Sequence, residues 1–256
     1  MKSLVDRNQQ FYQNGFVIVH QLLAADDVLR IKGEILNLLA AVRHEAAASG
    51  RKQEEVLASG VWVGLAARNE VIRQYVADDR LLNVLTEIIG PDLVFLSDKV
   101  ALKDDEVQFG TPWHQDWPYW KGSHKVSVWV ALDETTKDNG CLRVIPGSHL
   151  RPLPHHNTAT GKGFGYRLSD DQVNASEAVD LPLMPGDALF FHDLLIHSSY
   201  PNRTGKDRLA WIPTYKRGMD PDPHFPWAVA AQLVRGSAKF CSQCGILMGA
   251  ASSFCQ

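Results

Sequence analysis

The run Val126-Ser127-Val128-Trp129-Val130-Ala131-Leu132 alternates aliphatic residues with small or aromatic ones at a period of two. Successive side chains of a strand point to opposite faces, so Val126, Val128, Val130 and Leu132 share one side and Trp129 takes the other. Outward from this run, short β-rich stretches at 93–96, 99–102, 143–145, 188–191 and 208–215 are separated by Gly, Pro, Asn and Asp. Upstream the period is helical. From Asp26 the apolar residues Val28, Leu29, Ile31, Ile35, Leu38, Leu39 and Val42 recur three and four apart behind an Asp cap. A second helix is predicted from Val71 to Ile89, stopped by Gly90-Pro91. Residues 15–19 read as a short strand, and 45–60 show no clear period. The predicted class is α+β, mainly β: a double-stranded β-helix of the jelly-roll or cupin kind, flanked by N-terminal helices, with room for ligands between its sheets. Residues 150–174 read as a long loop, a lid or binding segment.

A chain of 256 residues, 45% hydrophobic and 21% charged, fits one large domain. Its net charge of −3 argues against nucleic-acid or anionic-membrane partners, and no apolar stretch approaches a membrane span. Without a secretion signal or a C-terminal address, a soluble protein of the cytosol is the expectation. Three cysteines, Cys241, Cys244 and Cys255, crowd a tail over 236–256 that resembles a zinc ribbon cut off before its fourth ligand, leaving 1–235 as the main domain.

The chemistry is concentrated in Trp113-His114-Gln115-Asp116-Trp117-Pro118-Tyr119-Trp120. In an extended backbone His114 and Asp116 would aim an imidazole and a carboxylate at one point. A facial iron(II) site takes two histidines and one carboxylate and leaves the opposite side open, so a further histidine is required. His197 is the candidate, in Phe190-Phe191-His192-Asp193-Leu194-Leu195-Ile196-His197-Ser198-Ser199. The turn-rich segment 200–207 would return Arg208 beside it as a hairpin, offering a guanidinium for bidentate pairing with a carboxylate. Each of these residues alone reads as ordinary: a lone histidine is more often a surface or hydrogen-bonded residue than a ligand.

Three blocks together resemble the phytanoyl-CoA dioxygenase family of iron(II)- and 2-oxoglutarate-dependent oxygenases. They are Trp113-His114-Gln115-Asp116, then Asp138-Asn139-Gly140-Cys141-Leu142-Arg143-Val144-Ile145-Pro146-Gly147-Ser148-His149, then Pro185-Gly186-Asp187 through His197, Ser199 and Asn202 to Arg208. The resemblance covers roughly residues 8 to 217. It implies His114, Asp116 and His197 as ligands of Fe(II), Arg208 and Ser199 on the far carboxylate of 2-oxoglutarate, Trp129 against the same cosubstrate, and Lys99 at a position that contacts it in some members. A family lysine before the second helix falls on Trp62. The implied reaction uses O2, releases succinate and CO2, and hydroxylates a C–H bond of a small molecule (an acyl-CoA, a lipid-like compound or a secondary metabolite). Asp116 fills the position that halide takes in related halogenases, which favours hydroxylation. Trp113, Trp117, Tyr119 and Trp120 are candidate pocket aromatics, and His124, Lys125, Arg151, His155, His156 and Lys162 a mildly basic rim. A cupin-like metalloenzyme would share the iron ligands without needing Arg208 and Ser199, and a binding module would have no need of a full ligand set.

Overall fold

In chain order the elements are α1 (Arg7–Asn14), β1 (Phe16–Val19), α2 (Ala25–Ala48), β2 (Val61–Val63), α3 (Glu70–Tyr75), α4 (Asp79–Ile89), β3 (Leu93–Lys103), α5 (Trp117–Trp120), β4 (Lys125–Ala131), β5 (Leu142–Val144), β6 (His156–Asn157), β7 (Tyr166–Arg167), β8 (Val179–Leu181), β9 (Ala188–His192), β10 (His197–Ser199), β11 (Arg208–Arg217), β12 (Gln232–Arg235), β13 (Lys239–Phe240) and β14 (Leu247–Met248). This computed structural model describes residues 6–49, 60–105, 107–157, 165–220, 222, 231–237, 239–240 and 247–248.

A seven-stranded sheet runs in the order β1-β9-β4-β11-β3-β12, with β2 also pairing β3, and a three-stranded sheet runs β10-β5-β8. Every pairing in both sheets is antiparallel. The alternation in β4 distributes its residues as expected. Val126, Val128 and Val130 pack with Ile31, Ile35 and Leu39 of α2 and with Leu81 and Leu85 of α4. Trp129 and Ala131 face the other way, toward Leu142, Val144 and Leu181 of the small sheet. The large sheet is thus sandwiched between helices and the small sheet, which gives the jelly-roll body its two cores.

The helical part differs from expectation in detail. Ala24, not an Asp, is the N-cap of α2, and it makes no side-chain cap bond; Asp26 and Asp27 lie in the first turn. Asp27 instead binds Tyr75 Oη at 2.7 Å and Arg80 Nη1 at 2.6 Å. The segment predicted as one helix over 71–89 is two, because the Asp78 carboxylate accepts the Arg80 N–H and starts α4 afresh. Gly90 closes α4 at φ 98°, as Gly-Pro implied. The two runs at 93–96 and 99–102 are one strand, β3. The intervening Asp98 is buried and accepts hydrogen bonds from Ala66 N–H (3.0 Å) and Trp211 Nε1–H (2.9 Å), so its polarity does not break the ladder. Residues 150–174 are not a bare loop: β6 pairs β7, and Asp170–Gln172 forms a 3-10 turn, with 158–164 outside the described residues. The cysteines of the tail also lie outside them. Among the described residues no helix is long and apolar enough to cross a membrane.

Candidate metal centre

His114, Asp116 and His197 are all buried, and their ligand atoms lie within 4.8 Å of one another. The backbone brings them together. His114 and His197 exchange both main-chain hydrogen bonds at 3.0 Å, forming an isolated antiparallel bridge. Three residues upstream of His114, Thr111 N–H donates to Ser199 Oγ (3.1 Å) and its carbonyl accepts Ser199 N–H (3.3 Å), so 111–114 runs alongside β10. Gly110 permits that approach, since a Cβ there would sit 2.7 Å from the Ser199 carbonyl oxygen. Asp116 is not on a strand. Its backbone is helical (φ −75°, ψ −26°), and it serves as N-cap of α5, so its meeting with His114 comes from a turn rather than from strand spacing. Between them Gln115 is buried and its amide holds three backbone groups, donating to Arg151 O (3.0 Å) and Leu194 O (2.8 Å) and accepting from Leu153 N–H (2.8 Å).

The histidine protons are directed away from the centre. His114 Nδ1 donates to Pro112 O at 2.8 Å and His197 Nδ1 to Leu195 O at 2.9 Å, which fixes the tautomer and turns each Nε2 toward Asp116. Those Nε2 atoms lie 3.6 and 3.9 Å from Asp116 Oδ1. Burial lowers the His197 pKa to about 3, and the neighbouring His114 acts in the same direction, so the His197 imidazole is neutral. Burial pushes the Asp116 carboxyl up, but Lys99, His114 and His197 outweigh it and hold the group well below the usual range. Lys99 Nζ stands 3.3 Å from Asp116 Oδ2 and 5.6 Å from the centre of the Trp120 ring. Two imidazoles and an ionised carboxylate brought this close make a donor set suited to ferrous iron.

A cavity of about 420 Å³ opens onto this triad, lined among others by Lys99, Thr111, Trp129, Ser199 and Arg208. Arg208 is 2% exposed, its Nε has no partner, and its guanidinium carbon lies 5.4 Å from the Trp129 ring centre. Burial lowers its pKa to about 10, with no carboxylate in ion-pair contact among the described residues. A buried, unpaired cation is costly, so the end of the cavity at Arg208 is built for an anion. β10 and β11 lie in different sheets, so Arg208 reaches the site by the crossover at 200–207 and not through a hairpin. Ser199 Oγ donates to Thr111 Oγ1 at 2.8 Å, which adds Thr111 to the residues at that end.

Of the aromatic candidates, Tyr119 and Trp120 line the cavity while Trp113 lies under the Arg143 guanidinium (4.7 Å) and Trp117 does not reach it. Trp62 turns into the helical core beneath Arg68, leaving Val61 and Val63 to form the wall. The basic rim is dispersed. His124 contacts Asp193 and lines a separate cleft, and Lys125 is fully buried against Asp222. His155 accepts Gln115 N–H at 2.9 Å, and burial lowers its pKa. Arg151 and His156 are exposed, and Lys162 lies outside the described residues.

Comparison with known proteins agrees with this architecture. Over 217 residues the chain is 29% identical to the peroxisomal phytanoyl-CoA dioxygenase of Rattus norvegicus, covering 77% of this chain and 63% of that protein. The human counterpart is 26% identical with 77% and 63% covered, so the chain spans less than two thirds of the length of these relatives. Among solved structures, the apo form of the non-heme monooxygenase ThoJ superposes with a TM-score of 0.71 at 26% identity, covering 91% of this chain and 84% of the other. EctD from S. alaskensis, solved with 2-oxoglutarate and 5-hydroxyectoine, superposes with a TM-score of 0.71 at 22% identity, covering 88% and 83%, and shares the fold. The family model for phytanoyl-CoA dioxygenase (PhyH) matches residues 11–210. That match takes in every element from β1 to the start of β11, the triad and Arg208 included, and the chain belongs to the phytanoyl-CoA dioxygenase (PhyH) family.

Proposed function

We propose that this chain is an Fe(II)- and 2-oxoglutarate-dependent oxygenase that hydroxylates a C–H bond of a small-molecule substrate and releases succinate and CO2. The observation that carries this reading is the pairing, in one cavity, of a His-His-Asp triad whose histidine protons point outward with a buried guanidinium that has no carboxylate in ion-pair contact among the described residues. His114, Asp116 and His197 would hold the iron. Bound together, ferrous iron, 2-oxoglutarate and O2 supply the oxidising chemistry, as cofactors do in general, while the protein supplies position and shielding.

The chain's own residues divide the remaining work. Arg208 would take the far carboxylate of 2-oxoglutarate in a charge-assisted pair, with the Ser199 and Thr111 hydroxyls beside it and the Trp129 ring against it. Lys99 keeps Asp116 ionised and would lie near the opposite end of the cosubstrate. Asp116 occupies a ligand position with a carboxylate, which supports hydroxylation over halogenation. Trp129, Phe191 and Ile212 exclude water from the anion end. We assign residues 1–235 as the catalytic domain and 236–256 as an appended tail, and take a cytosolic enzyme without nucleic-acid or membrane partners as the reading that fits a net charge of −3.

The test is succinate release by Fe(II)-loaded protein under air, with and without 2-oxoglutarate. Succinate formation that requires the triad and Arg208 is expected, with Asp116→Ala abolishing turnover coupled to substrate. Bound iron with no dependence on 2-oxoglutarate would favour the cupin-like alternative.

A further inference from the structure

The cavity is divided chemically on either side of the triad. Ser97 and Thr214, toward the other end of β11 from Arg208, line the cavity together with Val61, Val63, Tyr119 and Trp120. Ser97 and Thr214 are cross-strand partners on β3 and β11, and both are buried. Their hydroxyls are lightly committed. Among the described residues Ser97 Oγ makes only a 3.5 Å bond to the Asp98 carbonyl, and Thr214 Oγ1 shares a 3.3 Å contact with Ser127 Oγ. A hydroxyl offers one donor and two acceptor positions, so each keeps capacity for a ligand.

The charges on this side are already matched. The Asp98 carboxylate takes the Ala66 and Trp211 N–H groups, and Lys99 pairs with Asp116. At the mouth, Tyr119 is 41% exposed and meets Tyr166 edge to face at 5.2 Å, while Val63 is 55% exposed. Exposed aromatic and aliphatic side chains around an opening suit an apolar visitor. An anion entering here would lose its water without gaining a free cation from the described lining residues.

We infer that the molecule hydroxylated at this site is uncharged, with a rigid ring-bearing body lying between the Val61–Val63 strand and the Tyr119–Trp120 turn. A carbonyl or hydroxyl oxygen of that molecule is seated on Ser97 and Thr214. This rests on the oxygenase reading above and adds the substrate class, which excludes acyl-CoA thioesters and free fatty acids as best substrates.

The experiment is anaerobic titration calorimetry on the protein with and without Fe(II) and 2-oxoglutarate. The probes are a set of neutral bicyclic and tricyclic ketones such as 1-tetralone, their deoxygenated parents such as tetralin, palmitate and palmitoyl-CoA. At least one ketone is expected to bind more tightly than its parent hydrocarbon and than both anions, with an affinity indifferent to added salt. The double variant Ser97→Ala, Thr214→Val should lose about tenfold in ketone affinity and little for the hydrocarbon. Thr214→Ser, which keeps the hydroxyl, should retain the preference. The proposal is overturned if palmitate or palmitoyl-CoA outbinds every neutral probe and weakens with salt, if no neutral probe binds, or if the ketone-to-hydrocarbon ratio is unchanged in the double variant. The visible charge-transfer band of the Fe(II) chelate, read in the same samples, separates the two claims. Ketone binding without the band sinks the oxygenase reading and spares the pocket, whereas a band without ketone binding sinks the substrate class.

Discussion

Among the described residues two clusters each hold two histidines and an aspartate with ligand atoms within 4.8 Å, and they direct their imidazole protons differently. In the inner cluster, His114 and His197 give their Nδ1 protons to backbone carbonyls and turn their Nε2 atoms toward Asp116. The outer cluster is His124, His192 and Asp193. There His124 Nδ1 contacts Asp193 Oδ1 at 3.0 Å, and His192 Nδ1 accepts the Leu194 N–H at 3.1 Å. Asp193 Oδ2 accepts from Trp120 Nε1 and Lys125 N, both at 3.0 Å. Its carboxylate and the Nδ1 of His192 are taken up by the protein itself. Proximity of ligand types is therefore not enough: where each imidazole sends its proton decides whether a site faces a metal or closes a fold.

That contrast can be broken most sharply by metal content. His114→Ala, Asp116→Ala or His197→Ala should weaken Fe(II) or Ni(II) binding by about a hundredfold or more, whereas His124→Gln and His192→Gln should leave the stoichiometry and affinity of the wild type. Equilibrium dialysis with metal analysis reads this directly, and a second equivalent lost with His124 would show that the outer cluster ligates after all. Next in size, Arg208→Met should raise the KM for 2-oxoglutarate about a hundredfold, as expected for removing one partner of a buried charge-assisted pair, with metal binding intact.

The outer cluster should answer in stability. Asp193→Ala removes an acceptor from Trp120, Lys125 and His124 together, and urea unfolding should register a loss of about 3 kcal/mol. The smallest effect is pH dependence at His124, whose hydrogen bond to Asp193 raises its pKa above the ordinary 6.5. The folded state holds that proton more tightly than the unfolded chain, so the associated stability is present below pH 6.5 and lost as pH rises through the raised value. Burial pushes Asp193 up, but His124, His192 and Trp120 hold it below 3.8, so its own contribution is present above that value and lost as pH falls. Thermal melts from pH 6 upward should show a decline that His124→Gln flattens; an identical profile in that variant would remove His124 from the account.

The sequence was legible where one periodicity acts over a whole element. The two-residue alternation of β4 announced its two faces, and the helical spacing of α2 announced its buried stripe at Val28, Ile31, Ile35 and Leu39, though Leu29 is exposed. It was misleading where a single polar side chain makes a tertiary bond. Asp78 splits a helix by capping, and Asp98 sits inside β3 because Trp211 and Ala66, distant in sequence, supply its donors. At the site, the residue types in the motif blocks pointed to His114, Asp116, His197 and Arg208. The geometry joining them was misread: a one-residue bridge and a helical turn replace the expected strand, and a crossover between sheets replaces the expected hairpin. Thr111, Ser97 and Thr214 lie outside the motif blocks, since a Ser or Thr acquires its role only from what the fold sets opposite it.

The most direct test of the account is anaerobic titration of the Fe(II)-loaded protein with 2-oxoglutarate, followed by visible absorption. The account predicts a charge-transfer band that saturates at one equivalent, vanishes in His197→Ala and needs far more 2-oxoglutarate in Arg208→Met. Iron bound by the triad with no band at any concentration, or a band indifferent to Arg208, would contradict it.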